Sequence, residues 1–315
     1  LVVSLTAVAG LVPAADQARD ENARVSVTPR AARPLRTGTP AAMRVDVGLI
    51  LIPVTVTDTF GAPYSGLPRE SFRLYEDGIE QNVKYFSVED APISMGVVFD
   101  ASQSMSGRLD QSRQAVARFL TTAAPGDEYF LVEFNDAPRL LSKFTSDTDL
   151  LHQKLMGIRP KNWTALYDAV YLSIHQSRLA KNARKALLVL SDGGDNYSRY
   201  TEGEMKNLIR EGDVVIYAIA LSSGGLIKRH VRLMKQLAEE TGGLCYEVDK
   251  LGELPTAVEK ISAAIHNQYV LGYSPDDLPN EGAFRKIEVK LNPGADQPAR
   301  LRASWRNGYY AHTGR

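Results

Sequence analysis

The hydrophobic period of the chain changes twice. From Val45 to Asp90 apolar and polar positions alternate: Ile50, Ile52, Val54 and Val56 face one way, and Leu51, Pro53, Thr55 and Thr57 the other. That period of two predicts a strand half-buried in an antiparallel sheet, and Pro53 within it predicts an edge or a bulge. Gly61-Ala62-Pro63 marks a turn, and Phe72–Tyr75 and Val83–Phe86 flank Glu76-Asp77-Gly78, whose Asp-Gly pair predicts a hairpin. From Ser94 to His266 the pattern becomes short, continuous apolar runs (Met95–Phe99, Tyr129–Val132, Leu187–Leu190, Val214–Ile219) alternating with helical spacings. The helical spacings are Leu109, Ser112, Val116, Phe119; then Leu166, Ala169, Val170, Ser173, Ile174; then Leu254, Ala257, Val258, Ile261, Ala264, Ile265. Apolar runs separated by amphipathic helices predict an α/β fold with a Rossmann-like, doubly wound, mainly parallel sheet. After His266 the period of two returns over Tyr269–Tyr273, at Ile287, Val289 and Leu291, and at Leu301, Ala303 and Trp305. Neither β flank alone has enough strands for a secure core. The economical arrangement is one small antiparallel, sandwich-like β domain made of 45–92 and 267–312, with an α/β domain of 93–266 inserted into it.

The first fifteen residues, Leu1 to Ala15, are uncharged and largely apolar and end in small residues, as the apolar region and cleavage zone of a signal peptide do. A short buried helix is the alternative. Residues 16–44 are polar and Pro-punctuated without periodicity and read as a disordered linker. Export therefore leads, to a secreted, periplasmic or envelope-associated location, and no stretch reaches the ~20 apolar residues of a spanning helix. Composition narrows the chemistry by exclusion. Lys+Arg 37 against Asp+Glu 37 gives no basic excess for nucleic-acid phosphates. A single cysteine, Cys245, excludes a disulfide framework within the chain and any Cys-rich metal site.

The residues that carry chemistry fall at one edge of the expected sheet. The first buried run ends in Asp100-Ala101-Ser102-Gln103-Ser104, and the run Leu187–Leu190 ends in Ser191-Asp192-Gly193-Gly194-Asp195. Doubly wound sheets bind ligands beyond the carboxyl ends of their strands. Thr164 stands just before a helix and faces the same edge. Two carboxylates and three hydroxyls form an all-oxygen set that suits Mg²⁺ or Mn²⁺. The plainer alternative is helix capping, by Ser104 or Ser106 on one helix and Thr164 on another.

These residues resemble a known site. Asp100-x-Ser102-x-Ser104, Thr164 and Asp192 look like the metal-ion-dependent adhesion site of the von Willebrand factor type A domain, over about 93–266. The flanks Gly96–Asp100, Thr164–Ala169 and Leu190–Gly193 fit it too. Phe72–Gly78 and Tyr269–Pro275 further resemble a von Willebrand factor A-related family known chiefly from acidobacterial genomes. The resemblance implies that Ser102 and Ser104 bind the metal directly, Thr164 directly or through water, and Asp100 and Asp192 largely through water. A partner's Asp or Glu would then complete the coordination. Asn162-Trp163 stands where many such domains have Gly, so the shape of that loop departs from the family's.

Other features weigh less. Asp195 reads as a second-shell carboxylate or a plain turn, and Trp163 and Tyr197 as interface anchors or loop packing. Asn162-Trp163-Thr164 and Asn196-Tyr197-Ser198 match the glycosylation tripeptide by coincidence. The five histidines show no HExxH spacing. No nucleophile elbow, phosphate loop or dinucleotide fingerprint is present, so the expectation is a metal-dependent protein-binding or adhesion module and not an enzyme. A structural part with a metal-stiffened domain is the alternative, and a metal-assisted hydrolase a weaker one.

Overall fold

β1 (Ile50–Thr57), β2 (Phe72–Glu76), β3 (Ile79–Gln81) and β4 (Tyr85–Glu89) precede the α/β segment in the computed structural model. The structure describes residues 49–311 apart from 90, 223–227, 276–281, 293 and 295–299. The expected signal-peptide remnant and linker, 1–15 and 16–44, lie outside the described residues.

The α/β segment runs β5 (Ile93–Asp100), α1 (Leu109–Leu120), β6 (Glu128–Phe134), β7 (Pro138–Thr145), α2 (Thr148–Met156) and α3 (Leu166–Ser177). It continues with β8 (Arg184–Ser191), α4 (Glu202–Glu211), β9 (Val215–Leu221), α5 (Lys228–Thr241), β10 (Cys245–Val248) and α6 (Leu254–His266). Its strands form a six-stranded sheet in the order β10-β9-β8-β5-β6-β7, parallel except for the antiparallel edge strand β7. All eight residues of β5 are buried, because helices cover both faces. Met95, Val97 and Phe99 point to a core shared with α1, α2 and α6. Val98 points to the other face, whose core is shared with α3, α4 and α5. The sheet is doubly wound, and its strand order reverses direction around β5 and β8.

β11 (Gln268–Tyr273), β12 (Phe284–Leu291), β13 (Arg302–Trp305) and β14 (Gly308–Tyr310) complete the chain. They interleave with the first four strands in two antiparallel four-stranded sheets, β13-β1-β11-β4 and β14-β12-β2-β3. Ile52 pairs with Leu271 and Val54 with Tyr269, which places four apolar side chains on the same inward face. Leu74 and Val289 pair in the second sheet and meet them in a common core. Trp305 Nε1 donates to Ile287 O at 3.0 Å, tying one sheet to the other. The inserted sheet and the paired sheets belong to one compact unit, Asp46–Arg315. Arg184, the first residue of β8, donates to Ala91 O just before β5 and to Ile265 O near the end of α6, so one guanidinium holds both crossings.

Two local expectations are corrected. The return strand of the Asp-Gly hairpin is β3, not Val83–Phe86: Glu76 pairs with Ile79, leaving a two-residue loop with Asp77 at φ 50° and Gly78 at φ 85°. A two-residue loop of positive φ obliges the chain to re-pair at once, and Tyr85–Glu89 crosses instead to β11. Pro53 lies in an inner strand. Its segment of β1 runs past the end of β13, which pairs only from Val54 onward, so the missing N–H falls where the strand is locally an edge. β7 and β10 escaped the apolar-run pattern: β7 is only partly buried and β10 is four residues long.

Candidate metal centre

β5 and β8 are neighbours, with Phe99 in register with Leu190. Asp100 and Ser191 therefore end side by side, and Asp192 follows one residue on. Ser191 Oγ donates to Asp100 Oδ2 at 2.5 Å, and the Ser102 N–H donates to Asp100 Oδ1 at 2.8 Å. Gly193 N–H in turn donates to Ser191 Oγ at 2.9 Å. Asp100 is fully buried. Burial pushes its carboxyl up to about 7; the bonds from Ser191 and Ser102 oppose that rise, and the charge of Asp192 adds to it. Asp192 is 6% exposed, and no described group donates to its oxygens. Neither carboxylate has an ion pair among the described residues. Two buried carboxylates of like charge without a cation are costly, and a bound cation removes the cost.

Ser102 Oγ and Ser104 Oγ lie 3.0 Å apart. Adjacent oxygens on an octahedral Mg²⁺, each ~2.1 Å from it, sit at about that separation. Neither serine caps α1: the residue before that helix is Arg108, and no side chain caps it. Thr164 is likewise not a cap. The residue before α3 is Ala165, and the first N–H groups of the helix are taken by others. Tyr167 N–H donates to Asp195 Oδ2 at 2.9 Å and Asp168 N–H to Ser198 Oγ at 3.1 Å. With those donors satisfied, no described group uses the Thr164 hydroxyl.

Backbone bonds knit the three loops together. Lys161 N–H donates to Ala101 O at 2.9 Å, and Ala165 N–H to Asn135 O at 2.8 Å. Thr164 N–H donates to Asn196 Oδ1 at 2.9 Å, while Asn196 N–H returns a bond to Thr164 O at 3.0 Å. All five oxygen-bearing residues named from the sequence thus stand on connected loops at the carboxyl edge. Their donor set fits a hard divalent cation. Among the described residues no three His, Cys, Asp or Glu side chains cluster, so the hydroxyls are what complete an oxygen set.

Five contributors were not singled out from the sequence, or were read otherwise. Ser191 orients Asp100, and its only signal is its place beside Asp192. Asn196 holds Thr164, a role hidden beneath its glycosylation tripeptide. Asp195 and Ser198 cap α3, which settles Asp195 as more than a turn. His230, near the start of α5, lies against Gly193-Gly194. Gly193 has φ 78°, and a Cβ there would come 2.7 Å from His230 O, so this turn requires glycine. Trp163 and Tyr197, about half exposed, stack on each other with ring centroids 6.0 Å apart and planes 10° apart. Cys245 offers no nucleophile: burial pushes its thiol up to about 12, with the charge of Glu247 adding to the rise.

Comparison with known proteins agrees with this architecture. Residues 95–194 match the family model of the von Willebrand factor type A domain. No curated protein matches the chain in sequence. Among solved structures, a von Willebrand factor type A protein from Catenulispora acidiphila is 10% identical, with 78% of this chain and 73% of that one covered and a TM-score of 0.51. The vWF domain of the type V pili tip protein Mfa5 from Porphyromonas gingivalis is 15% identical, over 56% of this chain and 96% of its own, at a TM-score of 0.48. Proximal thread matrix protein 1 from the mussel byssus, with a zinc-occupied MIDAS motif, is 19% identical over 60% and 49%, at 0.47. At such identities the likeness is one of fold, and the narrower acidobacterial likeness stays an expectation from the sequence. Residues 95–194 thus match the von Willebrand factor type A domain, and the doubly wound sheet that includes them has a fold consistent with it.

Proposed function

We propose that this chain is a metal-dependent protein-binding or adhesion module of a secreted or envelope protein. The metal is Mg²⁺ or Mn²⁺, held by Asp100, Ser102, Ser104, Thr164 and Asp192, and its module is the inserted segment 93–266. The observation that carries the reading is a pair of buried carboxylates at neighbouring strand ends, at the same sheet edge as the Ser102, Ser104 and Thr164 hydroxyls, with no cationic side chain among the described residues paired to them. A divalent cation supplies that charge and, with most protein ligands neutral, keeps enough of it to attract an anionic group. An exposed Asp or Glu of a partner protein is the natural anion. The stacked rings of Trp163 and Tyr197, one residue to either side of the Thr164–Asn196 pair, offer an apolar surface beside it.

An enzymatic reading has less behind it: the two carboxylates at this edge are the ones a cation would occupy, and burial pushes the Cys245 thiol away from its nucleophilic thiolate form. Among the described residues no helix is long and apolar enough to cross a membrane.

Calorimetric titration of the full chain with Mg²⁺ and Mn²⁺ tests the metal reading. Saturable binding in the wild type, lost in Asp192→Ala and in Ser104→Ala with melting behaviour retained, is the expected result. Equal binding by all three proteins overturns it. Partner capture from the native envelope fraction that is reversed by EDTA supports adhesion through the metal, whereas EDTA-resistant capture favours a structural role for the domain.

A further inference from the structure

The amino ends of β5, β8 and β9 open onto a cleft of about 830 Å³. It lies at the opposite end of the parallel sheet from Asp100 and Asp192. Its floor is the outer face of β1 and β11, and its roof is the start of the α/β segment. The walls are mainly apolar, with Leu51, Pro53, Val270, Pro92, Ile93 and Val215 among them. At the mouth Leu49 and Leu51 remain 47% exposed, so apolar surface continues outward from the cleft. Its volume falls within the ~300–1,000 Å³ of small-molecule sites, and its position between two packed lobes is where such sites form.

Polar and charged groups also line the cleft, Lys181, Asn182, Lys185 and Arg306 among them, and the bonding of two others is incomplete in one direction. Gln268 is 5% exposed and lines the cleft, and its Nε2 has no hydrogen-bond partner. Arg184 lines it as well. Two of its nitrogens donate to Ala91 O and Ile265 O, while its Nε is buried without a partner. Both orphans are donors, and a guanidinium has no acceptor to offer the amide. Of the acidic groups in the lining, Asp213 is taken by Arg306 at 3.4 Å and Glu211 is exposed. A buried donor without an acceptor is unfavourable. What the described lining lacks is therefore an anionic acceptor carried on an apolar body.

We infer that this cleft binds an elongated apolar molecule ending in a carboxylate, of the long-chain fatty acid class. The chain lies along Val270, Pro53 and Val215 toward the Leu49–Leu51 mouth. The carboxylate accepts from Gln268 Nε2 and meets the positive charge of Arg184. This site is separate from the metal centre and does not depend on the metal reading.

Titration of the full chain with dodecanoate, dodecanol and dodecyltrimethylammonium tests it. Dodecanoate is expected to bind saturably at one site, at least tenfold more tightly than dodecanol, with no saturable binding of the cationic amphiphile. Ala183→Trp, an exposed substitution in the lining, should abolish binding with melting behaviour retained. Gln268→Leu should bring the acid and the alcohol to similar affinity. Absence of saturable dodecanoate binding, equal affinity for acid and alcohol in the wild type, or unchanged binding in folded Ala183→Trp overturns the inference. Because Ala183 is exposed, that variant carries the test even if Gln268→Leu fails to fold.

Discussion

The two ends of one parallel sheet have opposite chemical needs. At the carboxyl end, Asp100 and Asp192 are buried with no ion pair among the described residues, and the hydroxyls of Ser102, Ser104 and Thr164 stand at the same edge. At the amino end, Gln268 and Arg184 present buried donors with no acceptor, among apolar walls. Two strands reach both ends, β5 from Ile93 in the cleft to Asp100 and β8 from Arg184 to Ser191, while Gln268 joins the amino end from β11. Burial on both faces makes the middle of each strand interchangeable apolar filling and leaves chemistry to its tips. The lesson is that the tips are specified independently, so each end should respond to its own substitutions alone.

Substitutions can break or sharpen that contrast. Asp192→Ala is expected to weaken Mg²⁺ binding by about 100-fold or more, ~3 kcal/mol, in calorimetry, with dodecanoate affinity unchanged. A parallel loss at the cleft would show that the ends communicate. Arg184→Met removes charge-assisted bonds to two carbonyls and should lower unfolding free energy by about 2 kcal/mol in urea, leaving Mg²⁺ affinity intact. Asn196→Ala frees the Thr164 backbone without touching any of the five side chains proposed as ligands. A tenfold loss of Mg²⁺ affinity, ~1.4 kcal/mol, is expected there, since groups that orient ligands typically contribute on that order. Trp163→Ala should leave the Mg²⁺ dissociation constant within about twofold, because its ring meets only the half-exposed Tyr197 ring, while its backbone N–H, which donates to Asp136 Oδ1 at 2.9 Å, survives the substitution. A large change would make the ring part of the metal site and not of a docking surface.

How much of this was legible in the sequence follows from the range of the interactions. β5 and β8 announce themselves because burial on both faces writes continuous apolar runs. Asp100, Ser102, Ser104, Thr164 and Asp192 can be named because each sits at a fixed offset from such a run or from a helix start. Asn196 could not be paired with Thr164, since the bond joins loops 32 residues apart and neither residue type demands it. Asp195 and Ser198 cap a helix that begins some thirty residues earlier, beyond the reach of any local capping rule. The hairpin was misjudged because Val83–Phe86 looks more like a strand than Ile79-Glu80-Gln81, whereas turn geometry, not propensity, decides where pairing resumes. The cleft was invisible for a similar reason: Pro53 and Val270 meet only through strand register, more than two hundred residues apart.

The clasp formed by Arg184 has a mechanical side. A pull applied at the carboxyl edge would load β5 and β8 lengthwise, and that tension would leave the doubly wound sheet by the two segments joining it to the paired sheets. Ala91 and Ile265 hang from one guanidinium at the root of β8, so the two tethers are coupled and load is shared between them instead of peeling one before the other. A sheet mounted in this way resists tearing as a strap sewn at both ends does.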